Sequence, residues 1–156
     1  VADIQIRPAQ PEDIGLLLEN IRQADLDELT ASHGEYADLE AILIDGLDRS
    51  GEHAWTMFID GQLALIGGVA PGGSLIGGSV GIPWMLGTNV IRAGTLTRAA
   101  MRYFAQVKEI YPELSNYVDA RNVKAIRWIR RMGFTVEEKP TLAGPNRMPF
   151  YRFWIK

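Results

Sequence analysis

Pro83 stands inside the apolar run 82–86, with Ile82 before it and Trp84, Met85 and Leu86 after it. A proline has no N–H to give to a β-ladder, so a strand accepts one only at a bulge or where one side is unpaired. The chain must therefore fold into a sheet that is interrupted beside this strand. Glycines punctuate the approach to it, at Gly72 and Gly73, then Gly77, Gly78 and Gly81. The stretch Pro71-Gly72-Gly73-Ser74 is expected to end the strand before it.

The remaining elements follow from periodicity. Residues 3–7 alternate apolar and polar and read as a half-buried strand ending at Pro8. Pro11-Glu12-Asp13 opens a helix, because proline is pre-set for the first turn and the acids face the positive end of the dipole. Ile14, Leu17, Leu18 and Ile21 give that helix one apolar stripe. A second helix is expected over 36–47, with Tyr36, Leu39, Leu43 and Leu47 on one face. Strands over 54–59 and 62–70 are joined by the hairpin signal Asp60-Gly61.

Leu96, Ala99, Ala100, Tyr103, Phe104, Val107 and Ile110 form a long helical stripe that Tyr111-Pro112 stops. Residues 114–119 read as a strand. Asn122 is a good N-cap for a helix with Ala125, Ile126, Ile129 and Met132 inward, and Gly133 supplies its left-handed C-cap. Phe134 begins another strand, and residues 149–155 form a last one. The order is β-α-α-β-β-β-α-β-α-β-β, interleaved without strict βαβ alternation. The expectation is one α/β (α+β) domain over 1–156, built on a mixed sheet with helices on both faces.

Composition narrows the function. The 156 residues carry a formal net charge of −3, which argues against broad nucleic-acid binding. No cysteine is present and His33 and His53 lie apart, so no metal site is expected. No apolar run reaches the ~18 residues of a membrane span, and the first residues have no signal-peptide pattern. A reducing bacterial cytoplasm is the expected location. Acids dominate from Glu12 to Glu52 and bases from Arg92 to Arg131. That polarity is either two solvated helical faces or an acidic wall for a cationic ligand opposite a basic wall for a phosphorylated one.

Two stretches carry a resemblance. Ile6-Arg7-Pro8-Ala9 with Asp13 is similar to an I-R-x-A-x-x-x-D opening. Asn122-Val123-Lys124-Ala125-Ile126 through Leu-position Trp128, Ile129, Met132, Gly133 and Phe134 is similar to N-x-x-A-I-x-L-Y-x-K-L-G-F. Both resemble the GNAT superfamily of acyl-CoA-dependent N-acyltransferases, and the element order is that of the superfamily. Residues 80–155 also resemble a GNAT-like family of tailed bacteriophages that includes internal virion proteins. That narrower resemblance implies a phage or prophage origin, phage-protein partners and a virion as a second location.

The GNAT resemblance implies acetyl-CoA as co-substrate, an amine as acceptor, and a gap between two parallel strands where the pantetheine arm pairs with backbone. Pro83 and Trp84 are expected to open that gap by a bulge, with Met85, Leu86 and Gly87 facing the thioester. The superfamily's [Q/R]-x-x-G-x-[G/A] phosphate loop is absent. In its place stand Gly87, Thr88, Arg92, Gly94 and Thr95, of which Thr95 reads as a helix cap. Asn122 fits the position that contacts the pantetheine arm. The tyrosine that serves many members as acid is replaced by Ile129. Tyr117 and Asp119 are the expected catalytic pair, with Glu113, Glu35 and His33 as other candidates for proton transfer. The alternative is a catalytically degenerate member acting as a virion-associated or protein-binding module.

Overall fold

The computed structural model describes residues 2–72 and 80–156. In chain order the elements are β1 (Ile4–Pro8), α1 (Pro11–Asn20), α2 (Gln23–His33), α3 (Leu39–Ser50), β2 (Ala54–Ile59) and β3 (Gln62–Gly72). There follow β4 (Val80–Gly87), α4 (Ala93–Val107), β5 (Glu113–Asp119), α5 (Val123–Arg131), β6 (Thr135–Val136), β7 (Thr141–Ala143) and β8 (Met148–Ile155). The strands form one eight-stranded sheet in the order β1-β2-β3-β4-β5-β8-β6, with β7 also on β8. Every neighbouring pair is antiparallel except β4 and β5. The mixed sheet expected from the sequence is the one observed.

Helices cover both faces. On one, Ile14 and Leu17 of α1 and Leu43 and Leu47 of α3 pack on Ile66 and Leu86. On the other, Val107 of α4 and Ile126 and Ile129 of α5 pack on Val69, Leu114 and Val118. The first corner is fastened by Asp13, which is 2% exposed. Its carboxylate accepts from both Arg7 terminal nitrogens at 2.8 Å, from the Gln10 N–H at 2.9 Å and from Thr56 Oγ1 at 2.7 Å. One acid thus ties β1, the start of α1 and β2 together, which gives the Arg7 and Asp13 spacing a physical reason. Burial opposes its ionisation, but these hydrogen bonds hold Asp13 below the usual carboxylate range.

Several elements differ from expectation. A third helix, α2, precedes β2; its apolar residues form no stripe, so periodicity did not reveal it. Tyr36 is 98% exposed in the turn before α3, which starts at Leu39 with Asp38 as its N-cap. The long helix α4 ends at Val107, and Ile110 is exposed beyond it. Gly73, Ser74, Gly77 and Gly78 lie outside the described residues. The turn readings hold: Asp60 and Gly61 both have positive φ, as a type I′ hairpin needs. Gly133 has φ +100°, and the Gly133 and Phe134 N–H groups close α5 on the Arg130 and Ile129 carbonyls.

The expected bulge in β4 is absent. β3 and β4 keep an unbroken register from Leu65↔Gly87 to Gly72↔Val80. Pro71 and Pro83 both sit at positions whose backbone turns away from this seam, so neither removes a bond from it. What the sequence did indicate is the unpaired side. β4 and β5 pair only at Val80↔Glu113 and Gly81↔Leu114, and then part.

Gly81 marks the apex of that parting. A Cβ there would lie 2.7 Å from Val69 Cγ1 and 2.9 Å from both Leu114 Cδ2 and Tyr111 Cγ. We expect Gly81→Ala to lose about 1–3 kcal/mol by overpacking, read from urea denaturation midpoints. An unchanged midpoint would mean the apex is loosely packed.

Candidate functional site

Strand parity determines what faces the gap. The Pro83 carbonyl accepts from Asn116 Nδ2 of β5 at 2.7 Å. Backbone groups at 83, 85 and 87 therefore all turn toward β5 rather than β3. Asn116 straps the strands just beyond the apex, and its Oδ1 accepts from the Tyr117 N–H. Beyond it, the Met85 N–H and C=O point into the gap, where β5 has already moved away.

Past Met85 the chain segment 21–33 takes over as partner. Ile21 forms a bridge with Thr88, and the Arg22 N–H donates to the Gly87 carbonyl at 2.9 Å. The Gly87 N–H donates to Asp25 Oδ2 at 2.7 Å, and the same oxygen accepts from Arg22 Nε and Nη2. One helical turn further along α2, Glu28 Oε1 accepts from the Asp119 N–H of β5 at 2.7 Å. Helix α2 thus bonds to the ends of both parted strands, through Asp25 on one and Glu28 on the other.

One cavity of about 1490 Å³ passes through the gap. On the α4–α5 side it is lined by Met85, Ala99, Tyr103, Asn122 and Trp128; on the α1–α3 side by Glu28, Leu29, Ile42, Arg49, Trp84 and Tyr117. Trp128 Nε1 donates to Thr97 Oγ1 at 3.1 Å, tying α5 to α4 along this wall. Trp55 and Tyr103 stack with centroids 4.3 Å apart behind it.

The residues expected from the sequence divide into two groups. Met85, Leu86, Thr88, Asn122 and Tyr117 line the cavity. Within this group, Leu86 also packs into the α1–α3 core and the Thr88 hydroxyl donates to the Leu63 carbonyl at 2.8 Å. Asn122 caps α5, its Oδ1 accepting from the Ala125 N–H at 3.3 Å. Tyr117 is 47% exposed on the α1–α3 side of β5.

Gly87, Arg92, Gly94, Thr95 and Asp119 are not in the cavity wall. The N–H of Gly87 is already bound by Asp25. Arg92 is the N-cap of α4 and makes no side-chain capping bond, so Thr95 stands at the third helical position and not at the cap. No acid lies in that first turn, and a Cβ on Gly94 would find only an arginine side chain, at 4.0 Å. Asp119 is 2% exposed and held by Arg121, whose Nη2 lies 2.7 Å from Oδ2 and whose N–H donates to Oδ1. Burial works against the charge, but the Arg121 bonds keep Asp119 below the usual carboxylate range. Of the other candidates, Glu113 lies at the apex end of β5, 3.8 Å from Arg152, and His33 lines the cavity on α2. Ile129 is buried in the core.

The sequence reading missed Arg22, Asp25 and Glu28. Their spacing of three was visible, but a charged helical face is usually solvated, and nothing local shows that this one meets two strand ends. Glu28 is chemically distinct. Burial, then the Asp25 and Asp119 charges, push it up to about 7, against the Asp119 N–H and Arg121, which favour the ionised form.

This raised value fixes a sign. Between its ordinary 4.5 and about 7, Glu28 holds a proton in the folded chain that the unfolded chain has released. Its contribution is complete below pH 4.5 and is lost, on the order of 3 kcal/mol, as pH rises through 7. Asp13 and Asp119 act oppositely and at lower pH, because their values are depressed from 3.8. In urea denaturation from pH 4.5 to 8.5, Glu28→Gln should flatten the decline seen in the parent. A parallel decline in both would show that Glu28 titrates as an ordinary surface acid.

No family model and no curated protein matches this sequence. Solved structures do. An acetyltransferase of the GNAT family from Streptococcus pneumoniae is similar with a TM-score of 0.66 and 17% identity, over 98% of each chain. The structure of yncA from Salmonella typhimurium with its cofactor acetyl-CoA has a TM-score of 0.72 and 16% identity, over 98% of this chain and 93% of that one. Naa50 from Arabidopsis thaliana, in complex with the bisubstrate analogue CoA-Ac-MVNAL, has a TM-score of 0.69 and 12% identity over 98% of each chain. At these identities what is shared is the architecture: the chain has the fold of the GNAT acetyltransferases.

Proposed function

We propose that this protein is an acyl-CoA-dependent N-acetyltransferase, and the observation that carries the reading is the β4–β5 gap with the Met85 backbone turned into it. Two similar structures carry acetyl-CoA or a CoA-linked analogue. The described residues fit such a molecule in two ways. A strand edge with an open N–H and C=O suits the amide-bearing pantetheine arm, and the α4 N-terminus, free of acids and of a capping side chain, suits its phosphates. Arg92 and Gly94 stand at that terminus. Asn122 keeps its Nδ2 donors for the arm while Oδ1 caps α5.

When bound, acetyl-CoA supplies an activated acyl group. The Met85 N–H donates toward the acyl oxygen, a fixed dipole where negative charge develops. Glu28 is the general base, matched to neutral pH by its burial and close to the acceptor side of the gap. We assign the base to Glu28 rather than Asp119, because Arg121 donates to both Asp119 oxygens. Tyr117, whose side chain lines the same cavity, is the acid for the departing sulfur.

A second reading, a binding module without chemistry, is favoured by Ile129, which puts a core side chain where the resembling motif has an acid. Its phage version rests on sequence resemblance alone.

The first measurement is thermal unfolding with acetyl-CoA. At a hundred times the dissociation constant it should add about 2.7 kcal/mol, or roughly 5–10 °C for a chain of this length. In turnover, kcat/KM should rise with pH to a plateau past an apparent value of about 7, the value to which burial raises Glu28. Glu28→Gln should lower kcat by roughly 10²–10⁴-fold. A thermal shift without turnover would favour the binding module. No shift at millimolar acetyl-CoA would remove both CoA readings.

A further inference from the structure

The acceptor half of the cavity is built from α2 and α3. Ile42, Asp45, Gly46 and Arg49, spaced at one helical face, turn toward it from α3, and Glu28 and Leu29 from α2. Gly46 clears space: a Cβ on it would meet nothing within 4 Å. The end of this chamber is closed by the turn between β7 and β8. Any side chain at Gly144 would run into the Ala31 carbonyl oxygen of α2, and Pro145 Cγ lies 3.4 Å from where a Gly34 Cβ would be. A polypeptide therefore cannot leave the chamber between α2 and this turn.

The charges in the chamber are of two kinds. Asp25 is committed to Arg22 and to the Gly87 N–H. Glu28 faces the cavity with one oxygen on the Asp119 N–H. Arg49 lines the same cavity and, among the described residues, makes no ion pair or hydrogen bond, even though Asp45 stands one turn before it. Arg49 is exposed at the rim of the chamber, and a rim guanidinium with no protein partner is suited to a carboxylate or another planar anion.

We propose that the acceptor is a small primary amine carrying its own anionic group, the class of free amino acids and their analogues, with its ammonium at Glu28 and its anion at Arg49. This rests on the acetyltransferase reading. In the transfer the amine nitrogen bonds to the acyl carbon and the C–S bond breaks. Glu28 takes the proton that the ammonium sheds before attack; Tyr117 protonates the departing thiolate and recovers the second proton that the nitrogen loses as the C–S bond breaks. An amine without the anion leaves Arg49 unmatched, and the closing turn blocks the α2 side to a peptide chain.

The chain has no cysteine, so released thiol can be followed directly with a thiol reagent. The panel is free amino acids, the matching decarboxylated amines and a short peptide, each with acetyl-CoA. The amino acids should be turned over with kcat/KM about a hundredfold above their decarboxylated partners. Arg49→Gln should reduce that preference by about tenfold or more. Gly46→Phe, which fills the space without straining a helical backbone, should abolish turnover yet keep the thermal shift with acetyl-CoA. Preference for the decarboxylated amines or the peptide would overturn the proposal, as would an unchanged preference in Arg49→Gln. Thiol release with none of these amines, but with some other amine, would overturn the substrate class alone. Release with no amine at all would overturn the acetyltransferase reading and this proposal with it.

Discussion

Two parallel strands that stop pairing after two residues leave backbone donors and acceptors without a ladder, and buried groups of that kind must find partners or face a ligand. The rest of the site follows from how this chain meets that demand. Asn116 takes the Pro83 carbonyl near the apex. Arg22 and Asp25 take both backbone groups of Gly87, and Glu28 takes the N–H of Asp119. Between these ties stands Met85, with backbone groups directed into the cavity. The gap is held open by specific bonds at both ends, so it exists before any ligand arrives.

The same bonds set the electrostatics of the gap. To reach both strand ends, α2 brings three acids, Asp25, Glu28 and the neighbouring Asp119, into a small volume with Arg22 and Arg121. The two arginines pair with the two aspartates. Glu28 is left with a backbone donor only, partly buried between two charged carboxylates, and is thereby driven toward neutrality. A carboxyl group raised to about 7 emerges from the way the sheet opening is braced. The Asp13 cluster does the corresponding structural work at the other end of the first half, and there every oxygen is satisfied and the acid is kept ionised.

Much of the fold was legible because its signals are local. Pro83 announces an unpaired strand side, Asp60-Gly61 a hairpin, and Asn122 with Gly133 the two ends of one helix. The β4 bulge was a wrong inference from Pro83, since the missing N–H falls on the gap side and leaves β3 undisturbed. Helix α2 was invisible because it has no apolar stripe; it is held by polar bonds to strand ends far along the chain. For that reason the site was only half legible. Met85, Asn122 and Tyr117 sit on elements that could be read, whereas Glu28 and Arg49 acquire meaning only when α2 and α3 are laid against β4 and β5.

The β4 edge at Met85 lies open toward the gap, whereas the N–H of its near neighbour Gly87 is already taken by Asp25. Residue-resolved amide exchange by NMR, on the chain with and without acetyl-CoA, measures both positions at once. The Met85 amide should exchange fast in the free protein and slow sharply with ligand, while Gly87 stays protected throughout. A Met85 amide that is protected without ligand, or that exchanges equally fast with acetyl-CoA present, would mean that the β4 edge does not receive the pantetheine arm.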